Sequence, residues 1–264
     1  ILVSFPIYWA FVSSIKQPDE LITNTPTLFP KNPTFESYER IWNLEPTSSR
    51  GNIRSAFMNS AIVSIGTVVV SAVISTLAAY ALTILRTPFR HFIFLLIIMP
   101  ILIPGISLLI PLYKLVRELG LMNSYLGLIL IHSTGMLTLG VFLMRNAFMS
   151  IPTSLREVAL LEGSSELRIM FTVMLPLAIP GLLTLMVFAL YGSWNDFILA
   201  FLFVNTIDME MLNVFLMKLT FAGSQFDTFW GLLNAGAIIS FVPIIIFYIF
   251  LQQYFVRGVT GSAV

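Results

Sequence analysis

The chain has 264 residues, 57% hydrophobic and 10% charged, with a net charge of +1 and a mean hydropathy of +0.91. A soluble domain carries about 25% charged residues, so this composition excludes a surface facing water on all sides, and its near-neutral balance gives no signature of nucleic acid as a partner. The absence of cysteine removes disulfides and thiolate metal sites, and the length suits one membrane domain of about five or six helices.

A spanning helix needs about 20 apolar residues, and six stretches free of Asp, Glu, Lys and Arg answer that need. The first, Ile1–Ile15, begins at the first residue without an initiator Met and reads as a truncated helix. A cleaved signal peptide would end in small residues, whereas Ile15-Lys16-Gln17-Pro18 follows here. Residues 16–52 form a segment outside the membrane, and the transmembrane core is expected over 53–256. Ala56–Leu85 is the longest clean candidate. His91–Tyr113 is interrupted by Pro100, Pro104 and Pro111, and Met122–Met144 carries His132 beside Ser133 and Thr134. Ile169–Asn195 begins with Pro176 and Pro180, and Phe229–Val256 contains Pro243. Residues 257–264 form a tail.

Proline removes a backbone donor and clashes with the preceding turn. In lipid the freed groups must be satisfied by neighbouring helices or a water-lined cavity. Two readings follow: the prolines break spans around a pathway, or they cap helices at the interfaces. Charge does not orient the chain. Arg86, Arg90, Arg145, Arg156, Arg168 and Arg257 fall on one side; Lys16, Lys31, Arg40, Arg50, Arg54, Lys114, Arg117 and Lys218 fall on the other. That near balance leaves the positive-inside rule undecided.

The most informative stretch is Ile151–Pro180, which reads as two short helices around a glycine corner. Ser154-Leu155-Arg156-Glu157 has the spacing of a capping box, in which Ser and Glu satisfy each other's backbone amides. Leu155, Val158, Ala159 and Glu162 continue one turn-spaced surface. Gly163 stands where a helix commonly ends in the left-handed conformation, and Ser164 or Ser165 caps the helix that follows. Ala159 and Gly163, both small, would let another backbone approach. The alternative is a plain interfacial helix with a good cap.

Glu157-x-Ala159, three residues, Gly163, nine residues, then Val173-x-Leu175-Pro176 resembles the EAA loop of ATP-binding-cassette importer permeases. Val158, Glu162 and Val173 are mild departures from that pattern. Phe142-Leu143-Met144-Arg145, Trp194-Asn195-Asp196-Phe197, Pro33-Thr34-Phe35-Glu36-Ser37-Tyr38 and Leu119-Gly120-Leu121-Met122-Asn123-Ser124 resemble the carbohydrate branch, closest to the second permease of maltose-type importers, which lacks a large periplasmic insert. The resemblance implies an all-α membrane protein of six transmembrane helices, the type I importer permease fold, in the bacterial inner membrane. It implies that residues 151–176 are a cytoplasmic coupling loop, with Ser154, Glu157, Ala159, Gly163, Leu175 and Pro176 meeting an ATPase. The implied partners are a second homologous permease, two cytoplasmic ATP-binding subunits that hold ATP and Mg, and a periplasmic or extracellular solute-binding protein. The outer loop around Asp208, Glu210, Gln225 and Asp227 would contact the last of these.

Tyr191, Trp194, Asn195 and Asp196 combine aromatic faces with hydrogen-bonding groups and are candidates for the substrate path, since polar groups inside a membrane are functional by default. Equally, Asp196 fixes packing. His132 reads as a packing residue, and His91, next to Arg90, as an interfacial one. A secondary transporter would favour ionisable residues in several spans, and only Asp196 and His132 come near. The chain has no Gly-x-x-x-x-Gly-Lys-Ser/Thr phosphate loop and no nucleophile–base pair, so no catalytic residue is assigned. An ATP-driven importer for a non-sugar solute such as a polyol phosphate remains the alternative within the same architecture.

Overall fold

The computed structural model describes residues 4–21, 23, 25–47, 49–85, 87–221 and 226–260, with the backbone alone for 221, 226–229 and 251–260. The described residues are helical, with no strand among them. The helices are α1 (Phe5–Ser14), α2 (Pro18–Leu21), α3 (Glu36–Trp42), α4 (Ile53–Thr83), α5 (Arg90–Ile98), α6 (Leu109–Glu118) and α7 (Tyr125–Met149). They continue with α8 (Thr153–Leu161), α9 (Glu166–Ile169), α10 (Leu175–Leu177), α11 (Ile179–Trp194), α12 (Ile198–Phe203), α13 (Leu212–Phe221) and α14 (Phe226–Thr260).

Six spans were expected, several of them interrupted by proline, and among the described residues three to five can be recognised. Three helices, α4, α7 and Trp230–Phe250 within α14, are long and apolar enough to cross a membrane. Two further candidates are bent pairs: Arg90–Leu102 with Gly105–Glu118 at 98°, and Glu166–Leu177 with Ile179–Trp194 at 79°. The described part of α1 has ten residues, short of a crossing. The bends have a covalent cause. Ile103 precedes Pro104 and is pushed into extended backbone, φ −97° and ψ 121°, as a residue before proline prefers. In the second pair Pro176 lacks the N–H that a regular helix would direct at Thr172, and the chain widens to a π-turn over Met170–Met174 before turning at Ala178. By contrast α14 continues as one helix through Pro243.

The chain divides into two compact units: Ile1–Ile62, Met122–Tyr125 and Asn195–Ile246, and Val63–Leu121, Leu126–Trp194 and Phe247–Val264. In the second unit α4 is apolar outside and polar inside. Ile65, Val69, Val73 and Leu77 are exposed, while Ser64, Thr67, Ser71 and Ser75 are buried. That inverts the pattern of a water-soluble helix and fits one immersed in lipid. Small residues let α4 and α7 approach closely: a Cβ added at Gly140 would lie 2.3 Å from the Ser75 hydroxyl. The core of this unit gathers Ala79, Tyr80, Val141, Met144, Phe148, Ile169, Met170, Met174 and Leu185. In the first unit Ile41, Ile53, Phe203, Leu212, Phe215 and Ala235 are buried.

Candidate functional site

After α7 the chain turns at Ser150 and Ile151, and Pro152, φ −58° and ψ 129°, opens α8. The capping box does not form. With Pro152 as N-cap the helix begins at Thr153 and has no side-chain cap bond. Proline's fixed φ suits a helix start, so Ser154 becomes the second helical residue, where its hydroxyl is out of position to cap the third amide.

The end of α8 follows the expectation. Gly163 has φ +81°, its N–H donates to the Leu160 carbonyl at 3.0 Å, and the Ser164 N–H donates to the Ala159 carbonyl at 3.0 Å. That pair of bonds is a Schellman motif. A Cβ at Gly163 would meet nothing within 4 Å, so glycine is required here by backbone conformation and not by space. Ser165 then caps α9, its hydroxyl accepting from the Arg168 N–H at 3.4 Å. The result is a helical elbow preceding the apolar run that starts at Ile169.

A polar bracket holds the elbow. Arg156 of α8 pairs with the Glu166 carboxylate of α9, and the Tyr80 hydroxyl of α4 donates to Glu166 Oε2 at 3.0 Å. The Arg156 hydrogen bond holds the Glu166 carboxyl below the usual carboxylate range, and the same bond raises the affinity of Arg156 for its proton. Beneath the bracket Ala159 is buried with Ile169, Met170 and Met174. The small side chain there therefore packs against its own chain. The outer surface is apolar: Leu161 is 89% exposed, Val158 54% and Leu155 42%. Ser154, Glu157 and Gly163 are also exposed, and Leu175 and Pro176 sit where the π-turn meets α10. Leu155, Val158 and Leu161 were not singled out as a docking surface by sequence, although their three-residue spacing outside a span was the available signal. The Tyr80 contact spans 86 positions in sequence and has no local signal.

The candidate path residues divide. Tyr191 and Trp194 end α11 in the second unit; Tyr191 is 58% exposed and Trp194 4%. Asn195 and Asp196 belong to the first unit. The Asp196 carboxylate accepts from the N–H groups of Leu199 at 3.3 Å and Ala200 at 2.9 Å, capping α12. Its carbonyl accepts from Asn213 Nδ2 at 3.2 Å.

Also in the first unit, Glu210 is corrected from an outer-loop contact to a buried residue, 3% exposed. Its carboxylate pairs with Lys218 and accepts from the Gly51 N–H at 2.9 Å. Asn59 donates to the carbonyls of Asp208 at 2.8 Å and Glu210 at 3.0 Å and accepts from the Tyr125 hydroxyl at 2.7 Å. Gln225 and the side chain of Asp227 lie outside the described residues. Among the described residues no three His, Asp or Glu gather to hold a metal ion.

Residues 71–261 match the family model described as binding-protein-dependent transport system inner membrane component. A probable ABC transporter permease protein of Bacillus subtilis, YurM, is 32% identical over 100% of this chain and 84% of its own length. A probable starch degradation products transport system permease protein, AmyC of Thermoanaerobacterium thermosulfurigenes, is 33% identical over 98% of this chain and 90% of its own. Among solved structures, a bacterial ABC transporter involved in import of the acidic polysaccharide alginate aligns with a TM-score of 0.84 and 25% identity. That alignment covers 96% of this chain and 91% of the other.

Proposed function

The chain belongs to the family of binding-protein-dependent transport system inner membrane components; it is a membrane permease subunit and not an enzyme by itself, and we propose that its cargo is a carbohydrate and its elbow the handle by which a separate ATPase drives it. Support for the cargo comes from relatives named for starch degradation products and alginate. Family membership calls for a solute-binding protein on the far side of the membrane. A second permease, two ATP-binding subunits holding ATP and Mg, and residence in the inner membrane complete the proposal.

The observation that carries the coupling role is a braced helix with an uncovered apolar face. Leu155, Val158 and Leu161 project from α8 while Arg156, Glu166 and Tyr80 fix its base. Exposed leucines at such density mark an interaction surface, and a rigid base lets displacement of α8 move the spans it joins. Gly163 shapes the bend, Ser154 and Glu157 lie on its exposed flank, and Leu175 and Pro176 join it to the bent span. For the path, the exposed ring of Tyr191 offers a face for a sugar, whereas Trp194 is packed and Asp196 caps α12. Affinity purification of the tagged chain from its own membranes tests the proposal. An ATP-binding subunit and a second permease should co-purify, and solute uptake into vesicles should require ATP. Uptake by the chain alone, driven by an ion gradient, would overturn it.

A further inference from the structure

Three elements of the second unit converge at the end of their spans from which the elbow departs. α4 ends at Thr83, α5 begins at Arg90, and α7 ends at Met149, just before Pro152. Between them lies a cavity of about 160 Å³ lined by Leu82, Thr83, Arg90, His91, Phe94, Arg145 and Met149. One water needs about 10–15 Å³ measured this way, so the space admits a polyatomic group.

Its chemistry is cationic without an internal counter-ion. Among the described residues no carboxylate pairs with Arg90, His91 or Arg145. The Arg145 guanidinium is fixed over the Phe94 ring, 4.4 Å from its centre, a contact that orients the fork and leaves its N–H groups for an acceptor. The Thr83 hydroxyl, buried at the cavity wall, makes no hydrogen bond. A buried hydroxyl without a partner calls for explanation, and here an anionic acceptor would satisfy it. The surroundings are apolar: Phe89 is 81% exposed, Phe92 62% and Met149 58%. Phe89 is also held at φ 55°, uncommon for a bulky residue, and this conformation sets the start of α5 and the placement of Arg90.

We propose that this cavity seats the phosphate of an anionic phospholipid at the membrane surface on the elbow's side. Arg90 and Arg145 contact the phosphate oxygens, Thr83 donates a hydrogen bond, and Leu82, Phe94 and Met149 meet the start of the acyl chains. Free inorganic phosphate shares the oxygen chemistry, but it would gain nothing from the exposed Phe89, Phe92 and Met149. An acidic residue of another protein is the competing source of charge.

The test is native mass spectrometry of the full chain, with whatever subunits co-purify, titrated with phosphatidylglycerol or phosphatidylcholine. The wild type should retain phosphatidylglycerol over phosphatidylcholine, and the double variant Arg90→Gln/Arg145→Gln should retain it about thirtyfold less, because each of the two cations near an anionic lipid surface contributes about one kcal/mol. Arg117→Gln, on α6 and away from the cavity, should leave retention unchanged. Thr83→Val keeps the shape and both charges, and should lower retention severalfold even if the double variant folds poorly. Undiminished retention in Thr83→Val and in a folded double variant overturns the proposal. So does displacement of the lipid by millimolar inorganic phosphate, which assigns the site to a free anion. Loss of a co-purifying protein with lipid retention unchanged assigns the cations to that protein and overturns it as well.

Discussion

Each of the two units contains an ion pair reinforced by further hydrogen bonds, and the two pairs are set in opposite surroundings. In the first unit the Glu210 side chain is 2% exposed and Lys218 34%, and the Gly51 N–H also reaches the carboxylate. Lys218 and Gly51, the two partners of Glu210, belong to the same unit. In the second unit Arg156 and Glu166 are 25% and 37% exposed, and above them α8 turns leucines outward. A buried clamp fixes a segment and offers nothing to a partner. A bracket near the surface stiffens a helix whose outer face remains uncovered. The contrast sets a buried scaffold against the surface that the proposed handle needs.

The sharpest way to break the comparison is to remove the buried clamp. Glu210→Ala leaves the Gly51 N–H without its acceptor and Lys218, 34% exposed, to water, and an unsatisfied buried donor costs about 1–3 kcal/mol. The purified chain should lose thermal stability by a clear drop in Tm, while any folded fraction keeps its affinity for the ATPase. An unchanged Tm would make the clamp decorative.

Next is the corner of the handle. Gly163→Val puts a β-branched residue at φ +81°, at a cost of about 1–2 kcal/mol. The elbow should shift, so transport and solute-stimulated ATP hydrolysis should collapse while membrane insertion persists. Gly163→Asn tolerates the left-handed region and should retain most transport. Equal transport in both variants would remove the conformational argument.

The smallest effect is expected at Asp196, whose carboxylate caps α12. Asp196→Asn keeps a side-chain acceptor for the amides of α12, so assembly and transport should change by less than about twofold. Intact assembly with transport lost would restore Asp196 to the substrate path.

Legibility followed the range of the interactions. Gly163 and Ser165 act within a few residues, and the glycine corner and the next cap were readable from them. Pro152 shifted the start of α8 two positions earlier, enough to take Ser154 out of capping register and cancel the box. Hydropathy located the apolar runs, but Ile103–Pro104 and Pro176 bent two of them, and the angle of a bend is set by tertiary packing. The Tyr80–Glu166 bond could not be read, because no pattern pairs residues 86 apart. Glu210 was misplaced because a charged residue in a connection normally faces water; Met209, Met211 and Leu212 around it were the neglected sign of burial.

The central claim is that the exposed face of α8 is gripped by an ATP-binding subunit. Because the chain has no cysteine, Leu161→Cys provides a single thiol at the most exposed apolar position of the elbow. Treating the purified complex with a short thiol-reactive photocrosslinker should yield one adduct, to the ATP-binding subunit, with a yield that changes when ATP is added. Failure of Leu161→Cys to crosslink to any ATP-binding subunit, in a complex that contains one, would contradict the account.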